Sequence, residues 1–206
     1  MGICERLRDE TRHLHRALED DLPVMRRDLQ WAEYRRLLAG FYGFYLPMEH
    51  ALARVPGLEF TLPDWPERRK IEWLVKDLRA LGITRQEITA LSLCVQLPAI
   101  SGVDEALGCL YVLEGSTLGG QIIGRHLQTT LQIGPNNGAS FFCSYGDRVG
   151  SMWKIFQEAL RTHEPADHER IINAAGQTFE SMHRWLKEDR RGMFPADGQK
   201  KQRVDC

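Results

Sequence analysis

The chain has 206 residues, 43% hydrophobic and 27% charged, with a formal net charge of −1 at pH 7. That length supplies one domain with a core of its own, and the composition excludes disordered and fibrous classes. The near-neutral balance excludes a global pull toward nucleic acid or an anionic membrane, so any anion site must be local. Five cysteines (Cys4, Cys94, Cys109, Cys143 and Cys206) in odd number and without a C-x-x-C spacing argue against a disulfide scaffold and for a reducing cytoplasm.

The first residues, MGICERLRDETRH, lack the apolar run of a signal peptide. Gly2 suits myristoylation, but Arg6 stands where that motif needs Ser or Thr. Apolar stretches fall far short of the ~20 residues of a membrane span. Residues 4–20 read as a helix, with Leu7, Thr11, Leu14, His15 and Leu18 on one face at about 100° per residue, closed by Asp20, Asp21 and Pro23. A second helix runs from Trp31 to about Arg54, with Tyr34, Leu37, Leu38, Phe41, Tyr42, Tyr45 and Glu49 on its inner face and a kink expected at Pro47. Residues 55–66, with three prolines, read as a loop. Residues 67–81 form a helix stopped by Gly82, and 84–95 a short one ended by Pro98. A long helix over 103–131 is expected to be broken by glycines, and 134–147 to be a loop. Helices follow at 148–162 and 165–188, and 189–206 is a polar, flexible tail. The class is all-α: one helical domain over 1–188 with seven or eight helices.

The most informative stretch is Tyr111-Val-Leu-Glu-Gly-Ser-Thr-Leu-Gly-Gly-Gln121. Gly115, Ser116, Gly119 and Gly120 share one side of the helix, although each interior glycine costs about 1 kcal/mol against alanine. Two reasons are open at even weight: close packing of another backbone, or a flat ligand laid against this helix with room for a small molecule. No strand precedes the glycines and no P-loop pattern occurs, so nucleotide binding is not indicated.

His15, with Glu19 one turn on, has the spacing of a metal-binding imidazole steadied by a carboxylate; a lone histidine on an apolar face is more often a core residue. Arg8 and Arg12 flank the same face, where they could meet carboxylates, or else are solvated surface residues. Two E-x-x-H strings, Glu10 to His13 and Glu180 to His183, raise a di-iron centre, but His13 and Glu180 each lie about 140° from their helix's inner face.

In combination and order, these residues resemble the heme oxygenases, particularly their bacterial form. Thr11, Arg12, His15 and Glu19 resemble the family's proximal helix, Phe41 to Glu49 its second helix, and Tyr111 to Gln121 its distal helix; the segments 138–142 and Thr178-Phe179 are also similar. The stretch Arg69 to Gly82 is similar to oxygenases that supply bilin to bacterial phytochromes. The resemblance implies heme held between a proximal and a kinked distal helix, with His15 as the axial iron ligand, oriented by Glu19. It places Arg8 and Arg12 at the propionates, Tyr111, Gly120 and Phe179 along the pocket, and Gly115, Ser116 and Gly119 at the reacting side. It implies oxidative cleavage of heme to biliverdin, carbon monoxide and ferrous iron, with dioxygen and electrons from a ferredoxin, flavodoxin or reductase. Where the animal enzymes have an aspartate this chain has Ser116. Glu114 lies about 160° away and cannot stand in for it; His126, roughly 15 Å along the helix, is a poor proton donor. A heme carrier on the same fold would return heme intact, and a thiaminase-like helical enzyme would not bind it tightly.

Overall fold

The computed structural model describes residues 2–163 and 168–189; of the tail expected over 189–206, residue 189 ends the last helix and 190–206 lie outside the described residues. Among the described residues there is no strand, as the all-α reading requires. Helix α1 spans Ile3–Asp21. The Glu5 carboxylate accepts the Gly2 amide at 3.0 Å and closes its first turn, and Pro23 opens a 3-10 turn just past its end. Helix α2, Trp31–Leu52, starts in the same way, with Glu33 accepting the Gln30 amide at 3.0 Å.

Pro47 sits inside α2 without ending it. Proline lacks the N–H that would bond the carbonyl four residues back, here Gly43, and that carbonyl instead accepts the Cys94 amide at 2.9 Å. The bond lost to proline thus fastens the irregular segment 92–101 to α2. Gly43 is required there, since a Cβ would meet the Ser92 carbonyl oxygen at 2.5 Å.

The expected loop of 55–66 contains a single helical turn, α3 (Leu58–Thr61), and a 3-10 turn at Trp65–Arg68. Helix α4 therefore begins at Ile71, later than its hydrophobic pattern suggests, and ends at Ala80 before Gly82, whose φ is +82°. Helix α5 covers Arg85–Thr89, capped by Thr84 and Glu87, and stops six residues short of the expected Val95. Helix α6 runs without interruption from Val103 to Thr130, so the expected break at the glycines is corrected: isolated glycines lower helix stability but remove no backbone hydrogen bond. The expected 134–147 loop holds α7 (Ser140–Cys143) and a 3-10 turn, Gly146–Arg148. Helices α8 (Val149–Thr162) and α9 (His168–Asp189) follow.

Helices α1 and α6 both run alongside α9 in its own direction. Along α1, Arg6 pairs with Glu169 at 2.5 Å, the rings of His15 and Phe179 are 5.6 Å apart, and Asp21 meets His183 at 2.7 Å. Along α6, Glu105 pairs with Arg170 at 2.6 Å and Cys109 meets Thr178 at 3.3 Å. Gly108 lets the two backbones touch, since a Cβ there would overlap the Ile171 carbonyl. One apolar cluster joins α1, α2, α4, α6, α8 and α9, with Leu7, Leu38, Phe44, Leu74, Leu110 and Phe156 among its fully buried members.

Candidate active site

Helices α1 and α6 meet where Tyr111 reaches Thr11. Because both run parallel to α9, His15 and Gly115 each lie one turn further on in the same direction, on the same side of that contact. The buried members of α1 are Ile3, Leu7, Thr11 and Leu18. His15 lies at the edge of this stripe with 48% of its side chain exposed, its Nε2 3.4 Å from Glu19. Phe179, itself buried, forms the wall beside the imidazole. Arg8 and Arg12 are exposed and share Asp9, at 3.2 and 2.6 Å. They stand on the His15 helix with their guanidinium groups in solvent.

The glycines of α6 divide between the two roles open to them. A Cβ on Gly119 would meet nothing within 4 Å. At Gly115 it would make ordinary contact with the Trp153 ring at 3.8 Å. At Gly120 it would overlap the Phe142 carbonyl oxygen, so Gly120, expected along the ligand face, admits the backbone of α7. Gly119 alone of the three opens on free space. Leu118 and Ile122, beside it on the helix, are 43% and 61% exposed. Tyr111 is half-buried, its ring 5.8 Å from Trp153, and burial raises its phenol above the ordinary range although Thr11 acts against this.

Ser116 is exposed. Its hydroxyl donates to the Leu113 carbonyl at 2.8 Å, which leaves its oxygen to accept the Tyr45 O–H at 3.3 Å. Burial holds the Tyr45 phenol well above its usual pKa, despite the hydrogen bond to Ser116, and the charges of Glu114 and Glu49 raise it further. Tyr45 is thus a neutral hydroxyl donor at any physiological pH. It is fixed by Phe41, Phe44 and Phe141, with ring centroids 6.2, 6.3 and 5.2 Å away. The sequence places Tyr45 on the inner face of α2, but its pairing with Ser116, 71 positions away, carries no local signal. His126 turns from this site, its Nε2 3.0 Å from the Arg26 carbonyl.

A second group of polar residues, of which the sequence reading weighed only Glu114, lies behind the glycines. Glu114 is 1% exposed; its carboxylate accepts from Arg68 at 2.5 Å, from Lys70, and from the Tyr145 hydroxyl at 3.0 and 3.1 Å. Glu114 therefore faces away from Ser116, as the 160° separation requires. The di-iron strings point outward: Glu10, His13 and Glu180 are exposed, and His183 is bound to Asp21. A groove of about 440 Å³ between the end of α2 and the 56–69 segment, lined by Leu52, Arg54, Val55, Leu58, Trp65 and Arg69, contains none of the expected site residues.

These helices define an all-α protein with a half-exposed imidazole on α1 and, on α6, an open position at Gly119 flanked by exposed Leu118 and Ile122. The heme oxygenase family model matches residues 1–188, so the chain belongs to the heme oxygenase family. A heme oxygenase of Xanthomonas campestris pv. campestris (strain 8004) is 34% identical over 164 residues, 74% of this chain and 93% of its own length. Among solved structures, the heme oxygenase of Leptospira interrogans is similar with a TM-score of 0.74 at 22% identity, covering 91% of this chain and 100% of that one. Heme oxygenase-1 of the cyanobacterium Synechocystis sp. PCC6803 in complex with heme has a TM-score of 0.71 at 19% identity, covering 91% and 92%. The structural likenesses show a shared fold; the sequence match and the family model carry the membership. The chain is an oxidoreductase whose substrate is heme, which it cleaves to biliverdin, carbon monoxide and ferrous iron.

Proposed function

We propose that this chain binds heme between α1 and α6, with His15 on the iron and the open face at Gly119 against the opposite side of the ring. The observation that carries the reading is the difference between adjacent glycines: Gly120 is filled by the Phe142 carbonyl, whereas nothing approaches Gly119. Exposed Leu118 and Ile122 supply apolar surface for the porphyrin. Heme supplies the oxygen and redox chemistry when bound; the chain binds it, orients it and moves protons. Arg8 and Arg12, paired with Asp9, can turn to the propionates at little cost, because exposed ion pairs of this kind are weak.

His15 presents Nε2 to Glu19. Ligation through Nε2, with Nδ1 donating to Glu19, needs a half-turn of the ring, which a half-exposed side chain makes freely. On the opposite side, Ser116 and Tyr45 form a two-hydroxyl relay: Tyr45 O–H donates to Ser116 Oγ, and Ser116 can swing its own proton from Leu113 toward the ligand. Gly119 keeps a side chain away from the ring so that a small molecule can lie across it, and Gly115, one turn back, stands beside Trp153.

Electrons come from an external donor such as a ferredoxin, flavodoxin or reductase. Among the described residues no helix is long and apolar enough to cross a membrane, and a cytoplasmic site of action rests on the cysteine usage. Supply of bilin to a bacterial phytochrome rests on the 69–82 likeness alone. The test is His15→Ala reconstituted with heme and given ascorbate, or ferredoxin with its reductase. The wild-type chain should lose its Soret band as bilin absorbance appears, and the variant should bind heme weakly and produce no bilin. A variant with the wild-type spectrum and rate would remove His15 from the iron; a wild-type Soret band that persists under turnover conditions would make the chain a carrier.

A further inference from the structure

From the buried ion cluster behind the glycines we infer that Glu114 is a positioning residue, which Arg68 and Lys70 clamp so that the turn carrying Gly115 and Ser116 presents Ser116 to the substrate. The inference rests on the proposed placement of heme against Gly119 and Ser116.

The cluster is a node that joins five parts of the chain. Arg68, from the 3-10 turn, has a side chain with no exposure and bonds Asp64 at 2.7 and 2.8 Å, Glu114 at 2.5 Å, and the Met152 carbonyl of α8 at 3.2 Å. Lys70, 2% exposed, bonds Glu114 and the Arg68 carbonyl, the latter at 2.9 Å. Tyr145, beyond α7, donates to Glu114. Lys70 also ties the node to α2, since its backbone amide donates to Glu49 at 2.5 Å and Glu49 lies one turn beyond Tyr45. One carboxylate on α6 is therefore held by side chains from the 68–70 segment and the 145 turn, and through them by α8 and α2.

Stability alone is a poor explanation for such a node. Burying charges carries a desolvation penalty for each ion, and well-packed apolar side chains in their place are often neutral or better. What the node offers is fixed geometry beside a stretch of α6 that three glycines in six residues weaken. Glu114 and Ser116 stand about 160° apart on the helix. Drawing Glu114 into the interior turns Ser116 outward, and the structure shows the pair in that relation: Glu114 buried, Ser116 exposed. A rotation of the turn by a few tens of degrees would part Ser116 from Tyr45, whose hydrogen bond is already long at 3.3 Å.

The test uses the full chain and two variants. Glu114→Gln removes the ion-pair partner of Lys70 and leaves Arg68 with Asp64 alone. The triple variant Arg68→Met, Lys70→Met, Glu114→Leu replaces the cluster by apolar side chains and serves if the single variant fails to fold. Hydrogen exchange of the heme-free protein is read first. The expected result is a tenfold or greater loss of amide protection confined to residues 115–120, with α1 and α9 unchanged. In the heme-loaded protein kcat should fall at least tenfold while heme affinity and KM stay within about twofold. An even loss of protection over the whole chain, or a folded triple variant with wild-type protection at 115–120 and wild-type kcat, overturns the positioning role. Failure of heme to bind the wild-type chain would strike the proposed function, and the exchange result on the heme-free protein would still decide this inference.

Discussion

Alanine at Gly119 and at Gly120 should move stability in opposite directions, although the residues are neighbours in one helix. Replacing a helix-interior glycine by alanine gains about 1 kcal/mol where the methyl fits. At Gly119 it fits, with nothing within 4 Å, and for a domain of this size about 1 kcal/mol corresponds to roughly 2–4 °C in melting temperature. At Gly120 the methyl overlaps the Phe142 carbonyl, a backbone atom on α7 that cannot rotate aside. Asp77 holds that turn in place, accepting the Ser140 and Phe141 amides at 2.8 and 2.7 Å. Forced overpacking costs about 1–3 kcal/mol, which cancels or outweighs the helical gain. Thermal melts of the heme-free protein should therefore place Gly119→Ala above wild type and Gly120→Ala at or below it. Heme titration then tests the open position directly: Gly119→Leu, which fills the open face, should weaken heme binding at least tenfold. If both alanine variants melt above wild type, or if Gly119→Leu binds heme and yields bilin at the wild-type rate, the division of the glycines into an open and a packed position is wrong.

Tyr45→Phe should cost about 1 kcal/mol in stability, the usual net value of one hydrogen bond, and slow turnover with little change in heme affinity; an unchanged rate would take Tyr45 out of the proton path. Burial raises the Glu49 carboxyl above its ordinary range, against the opposing pull of the Lys70 amide and charge and of Arg69. A raised carboxyl contributes stability that is present below its unfolded value and lost as pH climbs through the folded one. Melting temperatures of Glu49→Gln measured relative to wild type should thus rise between pH 4 and pH 7, and a flat or falling difference would refute the desolvation account.

Much of the scaffold was readable because its cause is local. The stripes of α1, α2 and α9 follow from side-chain spacing, and the stop at Gly82 from its positive φ. The endpoints that moved did so for tertiary reasons. Helix α4 starts late because Arg68 is drawn into the interior by Glu114 and Asp64; α2, expected to run on past Pro47, does so because Cys94 takes the freed carbonyl. The glycine pattern singled out α6, yet spacing could not separate Gly119 from Gly120; that depends on where α7 lies, 20 positions later. The Glu114 cluster was illegible for the same reason. Each of its charged residues looks like surface in isolation, and their burial follows from partners brought together by the fold. His15 and Glu19 were found by spacing one turn apart, whereas the Ser116–Tyr45 pair joins two helices and needed the structure.

The uncovered strip of Leu118, Gly119 and Ile122 has a consequence for the lifetime of the enzyme. A ligand that binds the folded chain stabilises it by an amount that grows with its concentration over its dissociation constant. With heme on the strip, as proposed, the stabilising ligand is also the molecule destroyed. Each turnover removes the chain's own stabiliser, and between release of one bilin and arrival of the next heme the apolar strip faces water. Abundance of the protein should accordingly track heme supply, falling when heme is scarce through unfolding of the empty form.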